Sequence, residues 1–112
     1  KEIIVNLGGD NISPSKIENL LSLNDKIIQS FVYGDKKTYL VALIVTQNEE
    51  NKKEIEFYLE NLNKGLSLIE KVKKFKLINE EFTIDNGMLT PTLKLKRKKI
   101  LEKYKEELEK LY

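Results

Sequence analysis

Thr38-Tyr39-Leu40-Val41-Ala42-Leu43-Ile44-Val45 is a nearly continuous apolar run that is rich in β-branched residues. Such a run is typical of a strand that is covered on both faces, so we expect it at the centre of a sheet. Residues 27–33 have the same character, and Gly34-Asp35-Lys36-Lys37 separates the two runs. This pattern predicts a β-hairpin whose second strand is central.

Helices are predicted on both sides of this hairpin in the sequence. Pro14 suits a first helical position, where its missing N–H costs nothing, and Ser13 is placed to cap that helix. Residues 51–63 form a second helix, which Gly65 ends. The apolar positions at helical spacing are Ile17, Leu20 and Leu21 in the first helix, and Ile55, Tyr58, Leu59 and Leu62 in the second.

A further amphipathic stretch follows Ser67, which can cap it. We interpret its lysines as a solvated side, and we expect residues 75–78 to end it as a short strand. Its apolar stripe consists of Leu68, Ile69, Val72 and Phe75, and its lysines are Lys71, Lys73, Lys74 and Lys76.

The first residues alternate well enough for a short strand over 2–7, with Ile3, Val5 and Leu7 on one face. Gly8-Gly9-Asp10-Asn11 then predicts a turn. A strand, two glycines and a helix start could together cradle a phosphate on backbone N–H groups. Phosphate fingerprints, however, need more glycines or a following lysine and hydroxyl, so we favour a plain tight turn.

We expect the chemistry in the run Gly87-Met88-Leu89-Thr90-Pro91-Thr92-Leu93-Lys94-Leu95-Lys96-Arg97. Gly87 can adopt backbone angles closed to other residues, and Pro91 disfavours helical geometry at the residue before it. Lys94 is therefore predicted at the junction between a loop and a helix. A C-terminal helix with one buried stripe is predicted from Ile100, Leu101, Tyr104, Leu108 and Leu111.

The first turn of that helix carries an unfavourable charge pattern. Four cations stand at the end that bears the positive half of the helix dipole, and an anion nearby would offset the cost. On charge alone a solvated basic turn is the simpler interpretation. These cations are Lys96, Arg97, Lys98 and Lys99.

Composition limits the chemistry that the chain can perform. With no cysteine and no histidine, it has no thiolate nucleophile, imidazole base, disulfide or ordinary zinc site. Its 20 basic and 18 acidic residues leave a net charge of +2, which argues against a protein built to coat nucleic acid. Without a signal-peptide pattern or a run of about 20 apolar residues, we expect it in the cytoplasm.

Length and pattern together predict one small α+β domain over residues 1–112. We expect a small sheet with a β-hairpin, covered by helices and ending in a C-terminal amphipathic helix. Because a strand-like run begins directly at Lys1, we also expect the chain to be part of something longer.

Two segments resemble motifs of the adenylate-forming acyl-CoA synthetases. Lys1-Glu2, Gly8-Gly9-Asp10-Asn11-Ile12-Ser13-Pro14 and Ile17-Glu18 are similar to their hinge-and-loop motif. The lysine motif of the long-chain fatty acid–CoA ligases is similar to Phe82-Thr83, Asn86-Gly87, Leu89-Thr90-Pro91-Thr92-Leu93-Lys94 and Arg97. The resemblance covers the whole chain. It implies the mobile C-terminal domain of such a ligase, with the large N-terminal domain absent.

The resemblance also implies roles for individual residues. Lys94 matches the catalytic lysine that reaches the reacting carboxylate and the α-phosphate, Glu2 matches the hinge, and Gly8 and Gly9 match the coenzyme A-binding loop. The sequence departs from the commonest pattern at two places. Thr92-Leu93 stands where many relatives have Ser-Gly, which favours the long-chain branch, and Lys16 stands where glutamate is common.

The implied substrates and cofactors are a fatty acid, ATP with Mg²⁺, and coenzyme A, with ATP and Mg²⁺ bound mainly by the absent domain. The implied partner is the protein's own N-terminal domain, and peripheral membrane association of the full enzyme is compatible with the resemblance. We predict no metal site in this chain and no nucleic-acid partner. The alternatives are another adenylate-forming ligase, such as a medium-chain or aryl-CoA synthetase, and a non-enzymatic protein-interaction module that uses the C-terminal helix.

Overall fold

A three-stranded sheet lies at the centre of the structure, a computed structural model that describes residues 2–112. A separate two-stranded hairpin precedes it in the chain. In chain order the strands and helices are β1 (Ile4–Val5), β2 (Asn11–Ile12), α1 (Pro14–Leu21), β3 (Gln29–Tyr33), β4 (Leu40–Val45), α2 (Lys52–Lys64), β5 (Val72–Ile78) and α3 (Arg97–Glu109).

Strand β4 is central, as its apolar run predicts. It pairs antiparallel with β3 and parallel with β5, and all six of its residues are buried. Leu40, Ala42 and Ile44 pack on one side with α1 and α2, and the alternate residues pack on the other side with α3. Both faces of the strand are therefore covered, and the predicted α+β class is confirmed.

The helices on one side of the sheet also match their predicted patterns. Ile17 and Leu21 of α1 and Ile55 of α2 have no exposed surface, and Pro14 occupies the first turn of α1. Gly65 ends α2 with its N–H donating to the carbonyl of Leu62. Ser13 stands at the N-cap of α1, but its hydroxyl lies 3.3 Å from that of Ser15 instead of capping a backbone N–H.

The amphipathic helix predicted after Ser67 is wrong. Leu68–Glu70 form only a short 3₁₀ turn, and the strand expected at 75–78 begins already at Val72 as β5. Parallel pairing with β4 satisfies the backbone of this segment, and Val72 is buried against the sheet. A long-range pairing therefore overrides the local helical spacing. The lysines on β5 are exposed, as expected, and they are Lys73, Lys74 and Lys76.

The strand predicted over residues 2–7 is shorter than expected and faces the other way. β1 comprises two residues, and Ile4, which pairs with Ile12, is the buried one. The face predicted for the strand is instead exposed, and it consists of Ile3, Val5 and Leu7. The reason is that the chain turns back at once into β2, so only one side chain of β1 reaches the core.

The C-terminal helix is present and buries its stripe against the sheet. Ile100 and Leu108 of α3 have no exposed surface, and Tyr104 is 7% exposed. They pack against Phe31 of β3 and against Val41, Leu43 and Val45 of β4, on the face of the sheet opposite α1 and α2. Because this stripe is covered within the domain, it is not free to dock a partner protein, which argues against the interaction-module alternative.

Candidate functional site

Lys94 lies in a tight loop and not at the helix junction where we predicted it. Leu89 and Leu95 form an isolated antiparallel bridge, which keeps the backbone extended until α3 begins at Arg97. Across the loop the N–H of Thr90 donates to the carbonyl of Lys94 at 2.8 Å, and the N–H of Lys94 donates to Oγ1 of Thr90 at 3.0 Å. The loop is therefore closed by its own hydrogen bonds, and it presents an exposed lysine side chain.

Leu93, just before the lysine, has a φ of +66°. This is the left-handed region that favours glycine. The resemblance implies glycine at this position in many relatives, and a positive φ is a physical reason for that preference. Gly87, at the start of the same segment, has a φ of +82°, as its position in the sequence predicts.

Glu2 and Lys94 lie around the same surface depression, which has a volume of about 460 Å³. The hinge residue and the lysine of the resembled motifs are thus brought together, although they stand at opposite ends of the sequence. The other residues that line the depression are Ser15, Glu18, Asn19, Leu95 and Arg97. Lys94 has no ion-pair partner within residues 2–112.

Arg97 anchors the depression through two carboxylates. Its Nη1 and Nη2 donate to the two oxygens of Glu18 at 2.7 and 2.6 Å, and its Nε lies 2.5 Å from Oε1 of Glu2. Oε2 of Glu18 also accepts the backbone N–H of Val32 at 2.8 Å. Burial disfavours the charged guanidinium, but the hydrogen bonds and charge of Glu18, followed by those of Glu2, outweigh it and raise the pKa of Arg97.

These two carboxylates also offset the unfavourable placement of cations at the positive end of the α3 helix dipole. The first helical residue, Arg97, is neutralised by Glu18 and Glu2, so two anions stand at the basic end of the helix. Lys98 and Lys99 are exposed, in line with the solvated interpretation. The offsetting charge thus comes from within the domain.

Gly8 and Gly9 lie at the exposed tip of the β1–β2 hairpin. Gly9 has a φ of +87°, and its N–H donates to the carbonyl of Asn6 at 3.0 Å, so the predicted tight turn is present. Because β2 stands between this turn and α1, the strand–loop–helix cradle for a phosphate is not formed. Among the described residues that line the Lys94 depression, neither glycine is found.

The role of Glu18 does not follow from the two motifs that contain Glu18 and Arg97. A signal was available, because Glu18 stands beside Ile17 and one helical turn before Leu21, on the side of α1 that is buried. A carboxylate at such a position needs a cation or several donors. Which cation it would find could not be inferred from the sequence.

Nothing in residues 2–112 groups three or more acidic, histidine or cysteine side chains so as to hold a metal ion. Likewise, no helix in this part of the chain has the length and apolar character needed to cross a membrane.

Comparison with solved structures supports the fold. The domain matches the A-PCP didomain of a carboxylic acid reductase from Segniliparus rugosus, solved in complex with AMP, with a TM-score of 0.85 and 28% identity. The match covers 100% of this chain and 17% of that one. A fatty acyl CoA synthetase of Mycobacterium tuberculosis shares the fold with a TM-score of 0.68 at 20% identity, over 94% of this chain and 20% of that one.

The sequence relatives include long-chain-fatty-acid–CoA ligases. The chain is 34% identical to the long-chain-fatty-acid–CoA ligase FadD15 of Mycobacterium tuberculosis and 32% identical to long-chain-fatty-acid–CoA ligase 1 of Homo sapiens. These matches cover 100% and 93% of this chain but only 23% and 18% of the relatives. The chain thus spans less than a quarter of their length. The model of the AMP-binding enzyme C-terminal domain matches residues 1–112, so the chain belongs to that family.

Proposed function

We propose that this chain is the mobile C-terminal domain of an ATP-dependent, AMP-forming long-chain fatty acid–CoA ligase. The observation that carries the proposal is the exposed Lys94 on a tight loop, beside a depression that Glu2 also lines. The long-chain ligases among the relatives support the substrate class. So does Thr92-Leu93, which stands where many other acyl-activating relatives have Ser-Gly.

In the first half-reaction a fatty carboxylate oxygen attacks the α-phosphorus of ATP, an acyl-adenylate forms and pyrophosphate leaves. Two anions must approach, and further negative charge builds on the phosphoryl oxygens, so positioned positive charge is the main contribution that a protein can make. Lys94 suits this role because its ammonium is exposed and free of carboxylate partners within residues 2–112. Arg97, in contrast, is already held by Glu18 and Glu2.

In the second half-reaction the coenzyme A thiol loses its proton, the sulfur attacks the acyl carbonyl carbon, and AMP leaves as the thioester forms. The domain would have to withdraw Lys94 and present another face, which makes the hinge at Glu2 part of the mechanism. We assign the Gly8-Gly9 turn to the approach of coenzyme A. The support for this is the resemblance together with the exposed position of the turn at the hairpin tip.

ATP and Mg²⁺ would be bound mainly by the N-terminal domain, which is the principal partner of this chain. We therefore expect neither half-reaction from residues 1–112 alone. Cytoplasmic location and peripheral membrane contact of the full enzyme stay predictions from the sequence.

A second candidate is the C-terminal part of a different acyl-activating enzyme. The match to the carboxylic acid reductase didomain, with a TM-score of 0.85, favours it. Both candidates share adenylate formation, so the second step and the preferred acid distinguish them. A medium-chain or aryl-CoA synthetase belongs to the same group of alternatives.

The test uses the full-length protein with ATP, Mg²⁺ and a series of acids from octanoate to octadecanoate, together with benzoate. We expect pyrophosphate release that depends on the long-chain acids, and acyl-CoA formation when coenzyme A is added. A preference for octanoate or benzoate would favour the medium-chain or aryl alternative. Adenylate formation without acyl-CoA would favour transfer to another acceptor, and no acid-dependent pyrophosphate release would overturn the proposal.

A further inference from the structure

Arg97 joins the two motifs that stand at opposite ends of the sequence. Its Nη1 and Nη2 hold Glu18 of α1, and its Nε contacts Glu2, the residue assigned to the hinge. Arg97 also lines the depression that Lys94 and Glu2 share. One guanidinium thus links the hinge, the first helix and the segment that carries the lysine.

The two ion pairs of Arg97 differ in burial. The side chain of Glu18 is 9% exposed, whereas that of Glu2 is 59% exposed. Breaking a buried, bidentate pair leaves a desolvated charge and is strongly unfavourable, whereas an exposed pair is weak and is screened by salt. Arg97 therefore stays on Glu18, and the contact with Glu2 is the one that can be made and broken reversibly.

We propose, on the basis of the function proposed above, that Arg97 is a positioning residue that holds the hinge beside the Lys94 loop. The intact Glu2–Arg97 pair favours the domain orientation in which adenylate forms. It does so because it holds Glu2, where the chain enters this domain, next to Lys94. Release of Glu2, while Arg97 remains fixed to Glu18, accompanies the change to thioester formation. The restraint is weak enough to be reversed in each turnover.

The test is Glu2→Gln in the full-length ligase, which removes the charge with little change in shape. Adenylate formation is expected to slow two- to five-fold, or about 0.4–1 kcal/mol, which lies within the range of about 0.2–1 kcal/mol measured for exposed ion pairs. Thioester formation from supplied acyl-adenylate is expected to stay the same or become faster. In 1 M salt the wild-type ratio of the two rates should approach that of the variant, because the Debye length falls to about 3 Å.

Glu80→Gln is the matched control, because it removes another ion-paired carboxylate, whose partner is Lys103 at 2.7 Å. It should leave the ratio of the two rates unchanged at either salt concentration. Arg97→Lys keeps a charge for Glu18 but loses the fork that serves two carboxylates. If this variant folds, adding Glu2→Gln to it should change the ratio no further. If Arg97→Lys does not fold, the salt dependence of the two rates in the wild type and in Glu2→Gln tests the proposal by itself.

Equal slowing of both steps by Glu2→Gln, or wild-type rates with wild-type salt dependence, would overturn this inference. An additional effect of Glu2→Gln on top of folded Arg97→Lys would overturn it as well. Those results leave the proposed function intact as long as the wild-type enzyme forms acyl-adenylate. If the wild-type enzyme forms none, the proposed function itself fails.

Discussion

Arg97 and Glu18 meet through two parallel hydrogen bonds of 2.7 and 2.6 Å, although 79 positions separate them in the sequence. The pair fixes the start of α3 against α1, and the same carboxylate accepts the N–H of Val32 in β3. The Glu18 side chain therefore holds α1, α3 and β3 together. Glu18 and Arg97 line the same depression as Glu2 and Lys94, so this ion pair is part of the candidate site.

Glu18→Ala should lower the free energy of unfolding of the chain by about 3 kcal/mol, the lower end of the range for breaking a buried ion pair, because Arg97 keeps its contact with Glu2 while the N–H of Val32 loses its acceptor. Urea denaturation of the isolated chain measures it. Glu70→Ala is the control, since its partner Lys16 is 55% exposed, and it should cost less than about 1 kcal/mol. A loss below 1 kcal/mol in Glu18→Ala would mean that water readily replaces the carboxylate.

Parts of the fold follow from local sequence alone. Strand β4 could be predicted because it is apolar at both odd and even positions. Such a run is typical of a strand covered on both faces or of a buried helix, and the hairpin signals beside it exclude the helix. β5 could not, since the spacing of Val72 and Phe75 suits a helix as well as a strand. Pairing with β4, which is remote in sequence, makes the choice.

The same contrast applies to the site. The roles of Lys94 and Glu2 are predictions from the resemblance, and the structure places both residues around one depression. The loop around Lys94 could not be predicted, because it is closed by the Leu89–Leu95 bridge and not by the helix that follows. The Arg97–Glu18 pair was also out of reach, since the sequence shows a buried carboxylate but does not identify its cation.

Leu93→Gly should raise the stability of the chain by up to about 1 kcal/mol. A left-handed backbone costs a residue with a Cβ about 1–2 kcal/mol, and the greater freedom of glycine in the unfolded chain takes back part of that gain. Little packing is lost, because Leu93 is 67% exposed. The midpoint of urea denaturation provides the measurement. Leu93→Ala, which keeps the strain and removes the side chain, should show no gain, and an equal gain in both variants would contradict the backbone explanation.

The isolated chain should fold as a monomer and bind ATP and coenzyme A weakly or not at all. It has its own core on both faces of β4, and under the proposed function the residues that would enclose the ligands belong mostly to an N-terminal domain. Calorimetric titration is the measurement, with the full-length protein as the positive control. Submicromolar binding of ATP by the isolated chain would indicate a self-contained nucleotide site instead.

Lys94→Ala in the full-length ligase should slow adenylate formation by about 10²–10³-fold, the scale expected for loss of one positioned electrostatic stabiliser. Stability should hardly change, because the side chain is exposed and its loop is closed by backbone and Thr90 hydrogen bonds. Supplied with pre-made acyl-adenylate, the variant should form acyl-CoA at a near-normal rate, since the domain would then have moved Lys94 away. Single-turnover assays of each half-reaction separate these effects.

Lys96→Ala and Lys98→Ala are the matched controls, because both remove an exposed cation from the same basic segment. They should change adenylate formation by only a small factor, as expected for surface charges that are screened by solvent. The same small loss in all three variants would make Lys94 one surface charge among several and end its assignment as the catalytic lysine. If Lys94→Ala instead slows both half-reactions equally, the lysine is needed throughout, and a mechanism in which the domain withdraws it between the two steps cannot hold.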